Sequence, residues 1–395
     1  MSHAEPDVLI AGGGLAGSAL AMMLGRAGLR VELFERGKFP KDKPCGEGLM
    51  PAGVAVLRRL GLAEAVGGAP FFGVRYHFGG QTAEGRFPGA DSSCTGRGQR
   101  RLHLDRIVFE AASATPGVTA QLNATVEEPL RENRRVTGVM VNDEPRRAPL
   151  VVAADGVHSR LRHRLGLNQP IRRKRIGARA HFRLAAEREQ PPWVDVFVAR
   201  GYEIYVTPMP GKEILVAALA DAWALEGPLD QAYQRWIRSH PALAARLEGA
   251  EQISELLSTS PLAAKSRCGV APGIVLLGDA AGFLDPITGG GMTQALMTAE
   301  LLAGYIIRQP HTGDDWIYQF ERERRAMLWD YATLTQIVLW LADHPRLTEK
   351  ALSALRGSPA LFSHLVGVAG GVRRLVDFRS LERDAPRPAR EHAET

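Results

Sequence analysis

The stretch 7-DVLIAGGGLAGSALAMMLGRAGLRVELFER-36 decides the fold. It opens on a short apolar run, Val8 to Ala11, bounded by glycines, the pattern of a strand buried in a parallel sheet. Gly12, Gly14 and Gly17 follow in G-x-G-x-x-G spacing, and Leu15, Ala19, Leu20, Met23 and Leu24 repeat behind them with a helical period. A second strand-like run, Val31 to Phe34, ends at Glu35 and Arg36. In such a βαβ unit each residue type has a physical task. Gly12 permits the tight turn, Gly14 lets backbone approach a pyrophosphate, and Gly17 lets helix pack on strand. The helix N-terminus, at Leu15 and Ala16, offers unpaired N–H groups and a positive dipole end to the phosphates. Glu35 stands where a carboxylate accepts from ribose hydroxyls. A lone G-x-G-x-x-G arises by chance in glycine-rich chains. Here strand, helix, second strand and terminal acid occur together, and the stretch reads as a dinucleotide site.

Composition bounds the rest. A chain of 395 residues can hold two or three connected lobes around a sizeable core. Its 45% hydrophobic and 23% charged residues suit a soluble globular protein, and no apolar run approaches the ~18 residues of a membrane span. The first strand begins within a few residues of Met1, which leaves no room before it for a signal peptide. Cys45, Cys94 and Cys268 are few and far apart, which argues against a disulfide framework or a metal site and for a reducing cytoplasm. The net charge is +6, yet the basic runs RGQRR (97–101) and IRRKRIGAR (171–179) are short and poor in aromatics. They read as a solvated face compatible with anionic cofactors, not as a nucleic-acid surface.

Along the chain, KFPKDKPCGEGLMP (38–51) is a loop, and Ala52 to Leu60 a helix stopped by Gly61. Residues 71–89 alternate around Gly79-Gly80 as a hairpin. An amphipathic helix covers 100–114, and short strands recur between Leu122 and Ala154. Four more strands (178–182, 194–198, 203–207, 214–219) are separated by Pro and Gly, the look of a mostly antiparallel sheet. Helices are expected across 228–256 and from about 313 onward, with a strand at Gly273 to Leu277. The charged, Pro-containing tail 381–395 is expected to be disordered.

Two later motifs join the first. VVAADGVHSRLR places Asp155 and Gly156 directly after a strand. GIVLLGDAAGFLDPITGGGMTQAL places Gly278 and Asp279 after another, then the loop Pro286 to Gly291 before a helix near Met292. Asp279 at a strand end can accept from a ribityl or ribose hydroxyl. The Gly289-Gly290-Gly291 run is expected to aim backbone N–H groups and a helix N-terminus at an anionic group. Five ordered motifs, the G-x-G-x-x-G run, Glu35, Arg101-x-x-Leu104-Asp105, Asp155-Gly156 and Gly278-Asp279, resemble the flavoprotein monooxygenase superfamily of the p-hydroxybenzoate hydroxylase fold, including its geranylgeranyl-reductase-like branch. The resemblance covers residues 5 to about 310. It implies FAD as cofactor, with Arg101 contacting it, Asp279 on the ribityl chain and the glycine loop against the isoalloxazine.

The architecture it implies is α/β. A Rossmann-like FAD-binding domain (1–70, 95–172 and 260–310) is followed by a second, largely antiparallel β-sheet substrate domain (71–94 and 173–259), then C-terminal helices (311–380). Two chemistries stay open. DPITGGGMTQAL is similar to the glycine loop of squalene and quinone-ring monooxygenases, whereas PCGEGL, with Cys45 and Gly46, resembles the prenyl-reductase loop beside the flavin. Monooxygenation implies NAD(P)H as transient reductant, O2, a flavin C4a-hydroperoxide and a hydrophobic aromatic or isoprenoid substrate, in the manner of secondary metabolism. With a single G-x-G-x-x-G, NAD(P)H must dock transiently or an external reductase must supply electrons. Saturation of prenyl double bonds is the alternative, and a non-catalytic prenyl-binding protein of the same fold is a second. Expected at the reaction centre are Cys45, Pro286, Gly289 and Gly290, and at the substrate pocket Phe182, Tyr202, Tyr205, Met209 and Phe283. His103 and His158 lie near cofactor motifs. The C-terminal helices are expected to cover the pocket, to form a dimer contact or to rest on a membrane surface from the cytoplasmic side.

Overall fold

The computed structural model describes residues 5–89, 94–171, 173–308 and 313–376, so the tail 381–395 lies outside the described residues. The elements that build the site are, in chain order, β1 (Val8–Ala11), α1 (Leu15–Arg26), β2 (Val31–Glu35), β3 (Gly73–Phe78) and β4 (Gln81–Arg86). They continue with α2 (Arg101–Ser113), β5 (Val118–Leu122), β6 (Leu150–Ala153), β7 (Arg175–Arg183), β8 (Val194–Ala199), β9 (Tyr202–Pro208) and β10 (Glu213–Asp221). Last come β11 (Ile274–Leu276), α3 (Gly291–Arg308), α4 (Asp315–Ala342), α5 (Pro345–Gly357) and α6 (Pro359–Ala369).

The first sheet has the order β11-β6-β1-β2-β5, all parallel, with a short antiparallel edge strand, Val270–Ala271, outside β11. Ile10 stands between Val152 and Leu33, and every residue of β1 and β6 is buried. That is why these strands read as unbroken apolar runs. Helices α1, α2 and α3 pack on one face. The antiparallel ribbon 126–147 and the short helix Arg160–Arg164 pack on the other. The carboxyl ends of β1, β6 and β11 therefore point to one crevice, the usual ligand position of a doubly wound sheet.

The second sheet has eight strands, with β7-β10-β9-β8-β3-β4 in register as its body. Its pairings are antiparallel except β8 on β3. Residues expected to be helical up to 256 are so only to Arg246. Glu251–Gln252 and Leu257–Thr259 instead pair with β7, whose edge backbone would otherwise lack partners. The sheet is apolar on both faces. One face packs on the helix Leu229–Arg238 through Tyr233, Trp236 and Ile237. The other face meets Leu352, Phe362 and Val366 of α5 and α6, so the C-terminal helices roof the sheet.

Candidate active site

A cavity of about 740 Å3 runs from the crevice of the parallel sheet to the helix-roofed face of the second sheet. Gly12, Gly14, Leu15, Ala16, Glu35 and Arg36 line its first end. Gly12 holds φ at +111°, and a Cβ there would stand 2.3 Å from the Ala154 carbonyl oxygen. Gly17 lies behind the wall: its missing Cβ would be 2.0 Å from the Gly12 carbonyl oxygen, so it serves helix–strand packing. Glu35 is buried, accepts from the N–H groups of Gly13 (3.2 Å) and Gly37 (2.9 Å), and pairs with Lys41 at 2.8 Å. Burial pushes its carboxyl up, but Lys41 and the Gly37 N–H outweigh burial and hold it below the usual range.

Cations converge beside the glycine loop. The Lys43 ammonium is 3.6 Å from where a Cβ on Gly14 would sit and 2.8 Å from Asp105 Oδ2. Arg101 holds the same Asp105 through two bonds of 2.8 Å. Burial raises the Asp105 carboxyl, and the two cations reverse this to bring it down to about 2.

The other two motifs supply acceptors. Asp155 Oδ2 takes the Arg160 N–H (2.8 Å), while Oδ1 is buried without a partner among the described residues. The Asp279 carboxyl likewise has no hydrogen-bond partner among the described residues, and burial pushes both acids up. Arg162 sits behind them and donates to the carbonyls of Asp279 (3.1 Å) and Ala280 (3.0 Å). Buried carboxyl oxygens facing a cavity call for donors such as hydroxyls. A glycine loop in which Gly12 admits no side chain, adjacent cations and unpaired acceptors together fit FAD, with its pyrophosphate and its ribose and ribityl hydroxyls.

The glycine loop departs from expectation in one respect. Pro286–Thr288 forms a single turn capped by Asp285 Oδ1, which accepts the Ile287 N–H at 3.0 Å. The Gly289 N–H is used inside the loop, on Pro286 O (2.8 Å). The Gly290 N–H donates to the Tyr331 hydroxyl (3.1 Å), and a Cβ on Gly290 would meet the Tyr331 ring at 2.3 Å. Gly290 thus packs against α4 and is not on the cavity wall. Pro286, Gly289, Gly291 and Met292 line it, and the N–H groups that precede the first backbone bond of α3, from Gln294 to Gly290, begin at Gly291.

Cys45, a free thiol, and Gly46 are on the wall as well. Their loop is tied to both sheets. Thr207 Oγ1 donates to Gly46 O (2.9 Å), and Glu47 accepts from the Arg101 N–H (2.9 Å) and meets His181 Nε2 at 2.6 Å. His158 edges the cavity, whereas His103 is exposed on α2.

At the chamber end the sheet's alternation decides which residues face in. Tyr205 lines the cavity and donates to Ile287 O at 2.6 Å, and Phe283 lines it too. Tyr202 and Phe182 have the opposite parity. Tyr202 stacks on Trp236 and bonds Ser239 at 2.6 Å, and Phe182 joins the same helix-side core. Met209 follows β9 and is fully buried as core packing. Two residues with no motif of their own matter more. Glu203, on the cavity face of β9, is bonded to the buried Arg175 of β7, whose guanidinium also binds Asp285 at 2.6 Å. Their neighbourhood could be suspected from an acid inside an apolar strand, YEIYVTP, but its partner 28 residues away on another strand could not.

Residues 5–335 match the family described as "FAD binding domain". The menaquinone reductase of Mycolicibacterium smegmatis is 29% identical over 76% of this chain and 76% of its own length. The squalene epoxidase of Schizosaccharomyces pombe is 27% identical over 78% of this chain and 70% of its own length. A flavoprotein/dehydrogenase of Cytophaga hutchinsonii shares the fold, with TM-score 0.79 over 92% of each chain at 20% identity. With the glycine cradle and the three strand-end motifs around one cavity, the match means that this chain belongs to the FAD binding domain family, as an FAD-dependent oxidoreductase.

Proposed function

We propose that the protein is an NAD(P)H-driven monooxygenase that hydroxylates or epoxidises a hydrophobic, isoprenoid-like or aromatic molecule. The observation that carries this reading is the continuity of the cavity: a polar cofactor cradle opens into an apolar chamber roofed by Leu334, Leu341, Leu352 and Leu355. Bound FAD supplies the redox and oxygen chemistry. Gly12, Gly14, Leu15, Ala16 and Lys43 would hold its pyrophosphate, Glu35 and Arg36 its adenosine side, and Arg101, Asp155, Gly156, Gly278 and Asp279 the rest. Pro286, Gly289, Gly291 and Met292 would lie against the ring system, and Cys45 and Gly46 on the same wall could also contact it. The apolar roof excludes water, which protects reactive oxygen chemistry from wasteful decay. Electrons would come from NAD(P)H docking transiently or from an external reductase, and exposed Trp329 and Trp340 on α4 suit a cytoplasmic enzyme working beside a membrane.

Saturation of a prenyl double bond is the second reading, favoured by the Cys45-Gly46 loop on the wall and by similarity to a digeranylgeranylglycerophospholipid reductase of Thermoplasma volcanium, 26% identical over 88% of this chain and 90% of its own length. Turnover of prenyl probes under 18O2 with mass analysis of the product separates the two. Incorporation of one labelled oxygen supports monooxygenation, and gain of two hydrogens without label refutes it.

A further inference from the structure

Glu203 is the one carboxyl that the second sheet presents to the cavity among the described residues. It stands on β9 between Val198 of β8 and Leu219 of β10, its cross-strand neighbours on the same face, and both line the chamber. Only 6% of its side chain is exposed. Oε1 accepts from Arg175, and Oε2 has no partner among the described residues. Such a group is costly in an apolar wall unless it is paired or neutral.

The charges around it do not balance. Arg175 reaches Glu203, Asp285 (2.6 Å) and Asp221 (3.6 Å), and Arg173 holds Asp221 through two bonds of 2.7 Å. Two guanidinium groups face these three carboxyls, and Arg173 also meets Asp343 at 3.1 Å. Asp221 has its bidentate partner, and Asp285 has Arg175 together with the Ile287 N–H. Burial pushes Asp285 up as well, but Glu203 has a single bond and is the acid placed to take up a proton. Burial, reinforced by Asp285 and Asp221 and opposed by Arg175, pushes it up to about 7. Once it takes up a proton, a carboxyl with a free oxygen in an apolar chamber is a donor in search of an acceptor.

We propose that Glu203 is the substrate's polar anchor: it donates to a carbonyl, quinone or hydroxyl oxygen, so the chamber takes an oxygen-bearing prenyl or aromatic amphiphile in preference to a pure hydrocarbon. The inference rests on the chamber being the substrate site. The anchor also sets orientation. Asp285 begins the loop that carries Pro286, and Tyr205, two residues along β9, bonds Ile287 O. The oxygen-bearing end is thereby held beside the glycine loop, and the apolar remainder extends under α4 and α5.

The test uses FAD-loaded protein and a matched pair of probes, 2-methyl-1,4-naphthoquinone and 2-methylnaphthalene, with binding read from perturbation of the flavin spectrum and tryptophan fluorescence. Glu203→Leu is expected to weaken the quinone about fivefold to tenfold and leave the hydrocarbon unchanged or tighter, while Glu203→Gln, which keeps a donor, stays within about threefold of wild type. Retention of FAD and an unchanged melting profile check folding. Should Glu203→Leu not fold, the pH profile decides. Wild-type quinone binding should weaken as pH rises through about 7, and that of Glu203→Gln should not. The groups facing Glu203 are Arg175, Asp221, Asp285, Tyr76, Tyr205 and, more distantly, Tyr331, and the three tyrosines are pushed up, away from that range. Equal loss of both probes, or no loss of the quinone, overturns the anchor. A wild-type protein that binds the hydrocarbon but not the quinone overturns it while leaving the chamber intact; binding of neither removes the chamber as substrate site and the anchor with it.

Discussion

The two ends of the cavity are built on different principles. The cofactor end is set by backbone, namely strand ends, the first turns of α1 and α3 and Gly12, which has no room for a Cβ, with a few charged side chains at its edge. The chamber end is made of side chains from five strands of the second sheet, β3 and β7 to β10, and from three helices that are distant in sequence. At Gly12 the clash is with main chain, so the cradle tolerates no side chain there. A side-chain chamber can change its occupant one residue at a time while the cradle stays the same, which is how one family serves several chemistries.

The sharpest way to break this contrast is at Gly12. A methyl group there would lie 2.3 Å from Ala154 O at φ +111°, so Gly12→Ala is expected to lower FAD affinity at least 100-fold or to abolish it, measured by flavin retention on gel filtration. Normal FAD content would show that the cradle is not held by main-chain contact. At the other end, Leu352 is 7% exposed and lines the chamber. Leu352→Ala should cost about 2–4 kcal/mol of stability yet leave FAD bound, as seen by thermal unfolding and the flavin spectrum. Loss of FAD in that variant would mean that the two ends are not separable.

A smaller effect sharpens the boundary. Tyr331→Phe leaves the Gly290 N–H buried and unpaired, at about 1–3 kcal/mol, and should alter the flavin spectrum through the adjacent loop without releasing the cofactor. The smallest expected effect is at Asp105. Its carboxyl is held at about 2 in the folded protein, below its ordinary value near 3.8. The folded state therefore gains stability that is complete above about pH 4 and is lost as pH falls toward 2, at most about 2 kcal/mol. Asp105→Asn should flatten that acid slope in urea titrations.

This difference in construction also explains what the residues alone disclosed. Strand, turn and helix at 7–36 obey local rules, and the same holds for Asp155-Gly156 and Gly278-Asp279, so the cradle is legible before any tertiary contact is known. The chamber is not. β7 and β9 are buried on both faces, so alternation in RIGARAHFR and YEIYVTP does not say which side is the cavity, and Tyr202 and Phe182 face the helices instead. Gly290 needed Tyr331, 41 residues on, to reveal that its N–H is taken. Glu203 has meaning only once β7 brings Arg175 beside it.

The most direct test of the central claim is the visible spectrum of the purified protein through NAD(P)H addition, first without O2 and then with it. The account predicts bound-flavin bands that bleach anaerobically and return on aeration. A protein that stays colourless after incubation with FAD would contradict the cofactor cradle, and bleaching that persists in air until an unsaturated prenyl lipid is added would contradict monooxygenation.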